Sequence, residues 1–241
     1  MARILHIETA TQVCSVALSD SGKLTGLRES REKNIHSSAI TVFIDEIIKE
    51  AGLTFSSLDA ISVSMGPGSY TGLRIGVSTA KGICYGAGKP LIAVGTLQSM
   101  AAGMASRFLG TPTASRRSPS LPVLYCPLID AKRMEVYTCL YDSNLAPIRD
   151  ILAEIITEHS FVDLLNTHRI VFAGDGAAKC RPLLGLHPNA VFLEDFYPSA
   201  AYMIKLAEER FERSEFEDVA YFEPFYLKDF IPGIPKVKGL I

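Results

Sequence analysis

Apolar and polar positions alternate, then shift to a helical spacing, in a recurring order along the first hundred residues. Arg3 to Glu8 is a short β-rich run. Val13 to Leu18 alternates toward Ser19-Asp20-Ser21-Gly22, a turn signal, and Lys23 to Arg31 returns as the second arm of a hairpin. Apolar residues at helical spacing from Ile35 to Ala51 predict a long helix ended by Gly52. Ala60 to Met65 predicts a strand, Thr71 to Tyr85 a helix, and Leu91 to Val94 another strand. Strand, hairpin, helix, strand, helix, strand is an α/β layer pattern with a mixed sheet.

The pattern then breaks. Ser106 to Pro122 is rich in Ser, Thr and Pro and reads as a flexible loop, with Arg116 and Arg117 as solvated charges. A second α/β set follows. Val123 to Ile129 and Glu135 to Tyr141 predict paired strands, and Leu145 to Ile151 predicts an extension of their sheet. Ser160 to Asn166 reads as helix, Ile170 to Ala173 as strand, and Ser199 to Arg213 as a charged helix. The expected organisation is a lobe at 1–105, a loop at 106–122 and a smaller α/β lobe at 123–241. Its last helix is placed to pack back on the first lobe, and the tail from Pro232 is expected to be loose. No short-period repeat occurs, yet two successive α/β modules of similar size are compatible with a structural duplication.

Composition narrows the function. Of 241 residues, 48% are hydrophobic, enough for a sizeable core. A formal net charge of −2 excludes the basic balance of a protein that binds nucleic acid unaided, so any contact with RNA is expected through a partner. Glu8 interrupts the first apolar run, so no signal peptide is expected, and no run approaches the ~20 residues of a membrane span. Five scattered cysteines without a CxxC pair suggest reduced, buried thiols and a cytoplasmic location.

Candidate chemistry concentrates at strand ends. Gly66-Pro67-Gly68-Ser69-Tyr70-Thr71-Gly72-Leu73-Arg74 follows a strand and opens a helix. It reads either as an anion cradle, with Gly66, Gly68, Ser69 and Thr71 around a phosphate, or as a tight turn capped by Ser69 or Thr71. It is neither GxGxxG nor a Walker A loop. Glu8, closing the first strand, could hold a magnesium ion or orient a water, or could end the strand in solvent. The five histidines show no metal-ligand spacing, and no nucleophile elbow is present, so no catalytic residue and no metal site are assigned.

Together these segments resemble the TsaB (YeaZ) family. The resemblance rests on Ile4-Leu5-His6-Ile7-Glu8-Thr9-Ala10, on Cys14 to Leu18, on His36-Ser37, and on Gly66 to Gly76, the most specific stretch. Asp130-Ala131-Lys132-Arg133-Met134-Glu135-Val136-Tyr137, Gly174 to Ala177 and Pro224 to Lys228 extend it. It implies an actin-like ATPase fold of two ribonuclease-H-like α/β subdomains. It further implies a role in forming threonylcarbamoyladenosine on the tRNA adenosine next to the anticodon. In that system a catalytic relative, TsaD, transfers the group, and an ATPase, TsaE, joins the pair. The implied state is cytoplasmic, homodimeric when alone, with tRNA contacted only through the complex. No cofactor is implied for the chain alone, with ATP or ADP a candidate at the complex interface. Older family names say "glycoprotease". TsaD-like proteins carry a His-x-x-x-His metal pair where this chain has Thr96 and Met100, and neither replaces imidazole. Glu8 stands where family members more often have Asp.

Three classes of function remain: a non-catalytic partner subunit of TsaD, an ATP-dependent small-molecule kinase of the same fold, and a metallopeptidase. The missing histidine pair argues against the last. For the first, the partner surface is expected on the two early helices. Ile40, Ile44, Ile47, Ile48 and Ala51 form one apolar side of the first, facing the sheet, while Ile35, Ala39, Val42 and Phe43 form another. The second helix carries Gly72, Gly76 and Gly82, and because interior glycines cost ~1 kcal/mol each and close helix packing accounts for them, Gly72, Gly76, Ala80 and Ile83 are the expected contact positions.

Overall fold

The first strand, β1 (Arg3–Glu8), is buried on both faces. Leu5 and Ile7 point into one core and Ile4 into another, which is why the run shows no polar face. The computed structural model describes residues 2–110 and 121–228. Within them, β1 pairs antiparallel with β2 (Cys14–Asp20), which pairs antiparallel with β3 (Lys23–Ser30). On its other side β1 runs parallel to β4 (Ala60–Gly66), and β4 to β5 (Leu91–Gly95). The order is β3-β2-β1-β4-β5.

Helices α1 (His36–Glu50) and α2 (Tyr70–Ala87) cover one face of this sheet. Ile40, Ile44, Ile47 and Ile48 of α1 are buried there, each contributing about 1.5–3 kcal/mol. Ala51 is exposed. It follows the last helical residue, so the expected sheet-facing side stops one turn earlier. The sequence left α3 (Thr96–Leu109) unassigned. It carries Leu97, Met100, Ala101, Met104 and Phe108 into the core of the second sheet. The loop expected from Ser106 therefore begins too early: its first four residues are the last turn of α3. Residues 111–120, most of that loop, and the tail from Pro232 lie outside the described residues.

The second sheet repeats the first. β6 (Val123–Asp130), β7 (Glu135–Thr138) and β8 (Leu152–Ile155) form an antiparallel meander, and β9 (Arg169–Ala173) and β10 (Ala190–Phe192) add parallel strands. The order is β10-β9-β6-β7-β8, the same topology read from the other edge. Helices α4 (Val162–Thr167) and α5 (Ala177–Leu184) pack on its outer face, as α1 and α2 do on the first sheet. The expected third strand at Leu145–Ile151 is displaced to β8. The Asp142 carboxylate accepts hydrogen bonds from the Asn144 and Ala146 N–H groups at 2.8 and 2.9 Å and turns the chain there.

The expected charged helix after Ser199 is two pieces, a 3₁₀ turn (Ala200–Met203) running into α6 (Ile204–Glu212). Met203, Leu206 and Ala207 bury against Ile4, Ile92 and Val94 of the first sheet. The layers are thus α1/α2, first sheet, α3 with the 200–212 segment, second sheet, α4/α5. All five cysteines are buried and free. No helix among the described residues is long and apolar enough to cross a membrane.

Candidate functional site

Topology places the C-terminal ends of β1 and β6 at one mouth between the lobes, where open α/β sheets put their loops and ligands. A cavity of about 840 Å3 opens there. Ala10, Thr11, Ser69 and Thr71 line it from the first lobe, with Lys33 and His36 at the start of α1, and Asp130, Lys132, Tyr137 and Asp175 line it from the second. Of the expected anion-binding set, Gly68, Ser69 and Thr71 face the cavity, while Glu8 and Gly66 do not line it.

The glycine loop is spent on internal packing. Gly66 has φ +116°, and a Cβ there would stand 2.5 Å from the Phe225 carbonyl oxygen. A Cβ on Gly68 would meet the Ala10 carbonyl at 2.3 Å, one on Gly72 the Thr9 carbonyl at 2.1 Å, and one on Gly76 the Thr9 hydroxyl at 2.2 Å. The Ser69 hydroxyl accepts a hydrogen bond from the Gly72 N–H at 3.3 Å and caps α2. This is the capped-turn reading, with the glycines holding α2 against the loop after β1. It also removes Gly72, Gly76 and Ala80 from the expected partner surface: all three are buried within the chain, as is Ala39. Phe43, Ile35 and Ile83 are half-buried against the first core, and Val42 is 50% exposed. Gly82 and Gly86 face open space.

The acids that end the two equivalent strands are both engaged by groups of the chain itself. Glu8 is fully buried. One carboxylate oxygen accepts the Ala10 N–H at 2.7 Å, and the other has no partner. Burial pushes its pKa up to about 7, against the opposing hydrogen bonds from Ala10, Ser64 and Thr9. Asp130 is the mirror case. Its carboxylate is paired with Lys179, which also donates to the Arg133 and Glu135 carbonyls at 2.8 and 2.7 Å. Burial raises its pKa, but Lys179 and the Lys132 N–H outweigh that and hold it below the usual range. Asp175 accepts the Asp130 N–H at 3.0 Å and is raised by burial. Thr96 accepts a hydrogen bond from the Gly66 N–H at 3.1 Å, and Met100 is buried in the second core. Among the described residues no cluster of His, Cys, Asp or Glu is placed to hold a metal.

Two ribonuclease-H-like lobes around a cleft define an actin-like ATPase fold, here with Glu8 buried and Asp130 paired with Lys179 at the cleft. The family model described as TsaD, tRNA N6-adenosine threonylcarbamoyltransferase, matches residues 29–230. The Escherichia coli protein named tRNA threonylcarbamoyladenosine biosynthesis protein TsaB is 31% identical over 235 residues, 94% of this chain and 95% of its own length. The Haemophilus influenzae protein of the same name is 27% identical over 94% of this chain. The structure of YeaZ from Pseudomonas aeruginosa superposes with TM-score 0.79 at 24% identity, covering 94% of this chain and all of its own. The chain belongs to the TsaB (YeaZ) family.

Sequence reasoning missed three contributors to this region. Lys179 lies 49 residues from the aspartate it neutralises, and no spacing rule links them. Tyr226 packs at a tilt against Tyr70, ring centroids 5.0 Å apart, and Lys228 pairs with Glu135. Pro224 to Lys228 stood out as a motif, and that was the available signal.

Proposed function

We propose that this chain acts in threonylcarbamoyladenosine formation on tRNA as the non-catalytic partner of a TsaD-type transferase. The observation that carries the proposal is the near full-length likeness to the E. coli protein named for that biosynthesis. The site geometry agrees. Glu8 is buried away from the cavity, the Asp130 carboxylate is paired with Lys179, and Thr96 and Met100 are committed to a hydrogen bond and to the core. The kinase alternative rested on Glu8 as its acid, and the Glu8 carboxyl does not reach the cavity.

The partner surface in this reading is the outer seam of α1 and α2, reduced to Ile35, Val42, Phe43 and Ile83 with the open Gly82 and Gly86. The same seam serves a homodimer when the chain is alone. A TsaE-type ATPase joins the TsaD-bound form, ATP or ADP sits at the complex interface, and tRNA is reached through the complex. Reconstitution tests the reading. Purified TsaD-type and TsaE-type proteins from the same organism are mixed with threonine, bicarbonate, ATP, tRNA and the enzyme that makes the threonylcarbamoyl donor, with and without this chain. Modification should require it, and the chain alone should make none. Full modification in its absence overturns the proposal.

A further inference from the structure

The segment from Glu217 to Lys228 leaves α6 and runs back over the first lobe. The Glu217 N–H donates to the Leu91 carbonyl at 2.9 Å at the sheet edge. Lys81 of α2 then holds it, donating to the Ala220 and Phe222 carbonyls at 3.1 and 3.0 Å. Phe222 is buried in the first core, and the Phe225 N–H donates to the Met65 carbonyl at 2.7 Å. Arg74 donates to the Tyr226 hydroxyl at 3.2 Å, and the Tyr226 ring lies on Tyr70. Through Tyr226, therefore, the segment is fastened to the first lobe alone.

Two residues later it reaches the other lobe. Lys228 pairs with the Glu135 carboxylate at the start of β7, and its ammonium sits 6.0 Å from the Tyr137 ring centroid. The receiving hairpin is itself fixed, because Lys179 binds the Asp130 carboxylate and the Arg133 and Glu135 carbonyls. Tyr70 and Tyr137 both line the cavity. One short stretch thus touches an aromatic residue on each side of the cleft mouth, anchored firmly at one end and by one charged pair at the other.

We propose that Tyr226–Lys228 is a clasp that closes the cleft between the lobes, with the Lys228–Glu135 pair as its releasable end. The rest of the inter-lobe packing, chiefly α3 against the 200–212 segment, acts as the hinge side. A ligand or partner that takes Lys228 or Glu135 for itself opens the cleft without disturbing either core.

Pulsed electron-spin distance measurement tests this. All five native cysteines are buried, so spin labels go to Lys23→Cys on the first lobe and to Leu186→Cys, 87% exposed, on the second. The labelled chain is diluted with unlabelled chain so that only distances within one molecule register. The wild-type sequence should give one main distance. Lys228→Glu should raise the population of longer distances roughly five-fold, the size of one partly exposed charged pair. The swap Lys228→Glu with Glu135→Lys should restore the wild-type distribution. Lys228→Met, which keeps the stem over Tyr137 and removes the charge, should shift it in the same direction by less. A distribution unchanged by both Lys228→Glu and Lys228→Met, or a swap that restores nothing, overturns the clasp.

Discussion

Replacing Glu8 by glutamine should flatten the pH dependence of stability that this carboxyl imposes. Glu8 is fully buried, has one unpartnered oxygen, and titrates in the fold at about 7 instead of 4.5. In the unfolded chain it loses its proton near its ordinary value. Between roughly pH 4.5 and 7 the native state therefore binds more protons than the unfolded state. Unfolding free energy falls as pH rises through that window and levels off above it. Moving the carboxyl from 4.5 to about 7, at about 1.4 kcal/mol per pH unit, gives an upper bound of about 3.5 kcal/mol. Glutamine keeps the neutral shape and the acceptor for the Ala10 N–H. Its unpartnered amide N–H replaces the unpartnered hydroxyl of the neutral acid, so the variant and the wild type should match at pH 4, below the window. At pH 8 the variant should be the more stable by up to about 3.5 kcal/mol, or ~7–14 °C in Tm for a chain of this size. Urea and thermal melts of both proteins at pH 4 and 8 measure this, and the difference between the two cancels every other titrating group. Parallel stability curves, or a variant less stable at pH 8, would mean that the carboxylate is held as an anion, and would refute the reasoning.

Further outcomes follow from the same packing. His6 is buried between the Ser62 and Ser19 hydroxyls at 2.7 and 2.8 Å, and burial lowers its pKa to about 3. Its ring resonances should therefore not titrate between pH 5 and 8 by NMR, and titration near 6.5 would contradict this. Gly76→Ala would drive a methyl into the Thr9 hydroxyl and should destabilise the chain by about 2 kcal/mol or more. Gly82→Ala meets open space and should stabilise it by about 1 kcal/mol; denaturant melts of the two variants should move in opposite directions. Val42→Glu at the half-exposed position of α1 should leave the fold intact within about 0.5 kcal/mol, yield a monomer by light scattering, and lose binding to a TsaD-type partner. Retained binding by that folded variant would remove the seam of α1 and α2 as the partner surface.

The first sheet was legible because local signals and tertiary placement agree there. β1 to β5 and the two long helices fall within a few residues of the periodicity that predicts them, and Ser69 and Gly88 mark the ends of α2 as capping chemistry requires. The second lobe was read less well for reasons that differ by element. β10 has three residues, too few to show alternation. α5 contains Pro182, a breaker that hides an eight-residue helix. α3 is another matter: Leu97, Met100, Ala101, Met104 and Phe108 keep helical spacing, so its signal was present. The comparison with a histidine pair drew Thr96 and Met100 into a question of ligands when the plainer pattern was a buried helix.

The glycines show where one-dimensional reasoning reaches its limit. Helix propensity says that Gly72, Gly76 and Gly82 each cost the same, and on that ground all three pointed to an external partner. In the fold they divide. Gly72 and Gly76 have the loop after β1 pressed against them, whereas Gly82 has nothing within reach. Only the second kind leaves its cost unanswered inside the chain, and a docked surface accounts only for that kind. Duplication sharpens the same point at the acids. Gly66 and Gly174 have nearly the same positive φ, +116° and +117°, and they follow equivalent strands, so the two lobes preserve their backbone geometry. Their strand-end acids do not preserve their chemistry. In one lobe the acid is buried away from the cleft, and in the other it stands at the cleft paired with Lys179. Two unrelated local solutions reach the same end, in which neither strand-end acid stands in the cleft as an unpaired carboxylate, and that convergence is what the proposed scaffold role on an enzyme's fold would display.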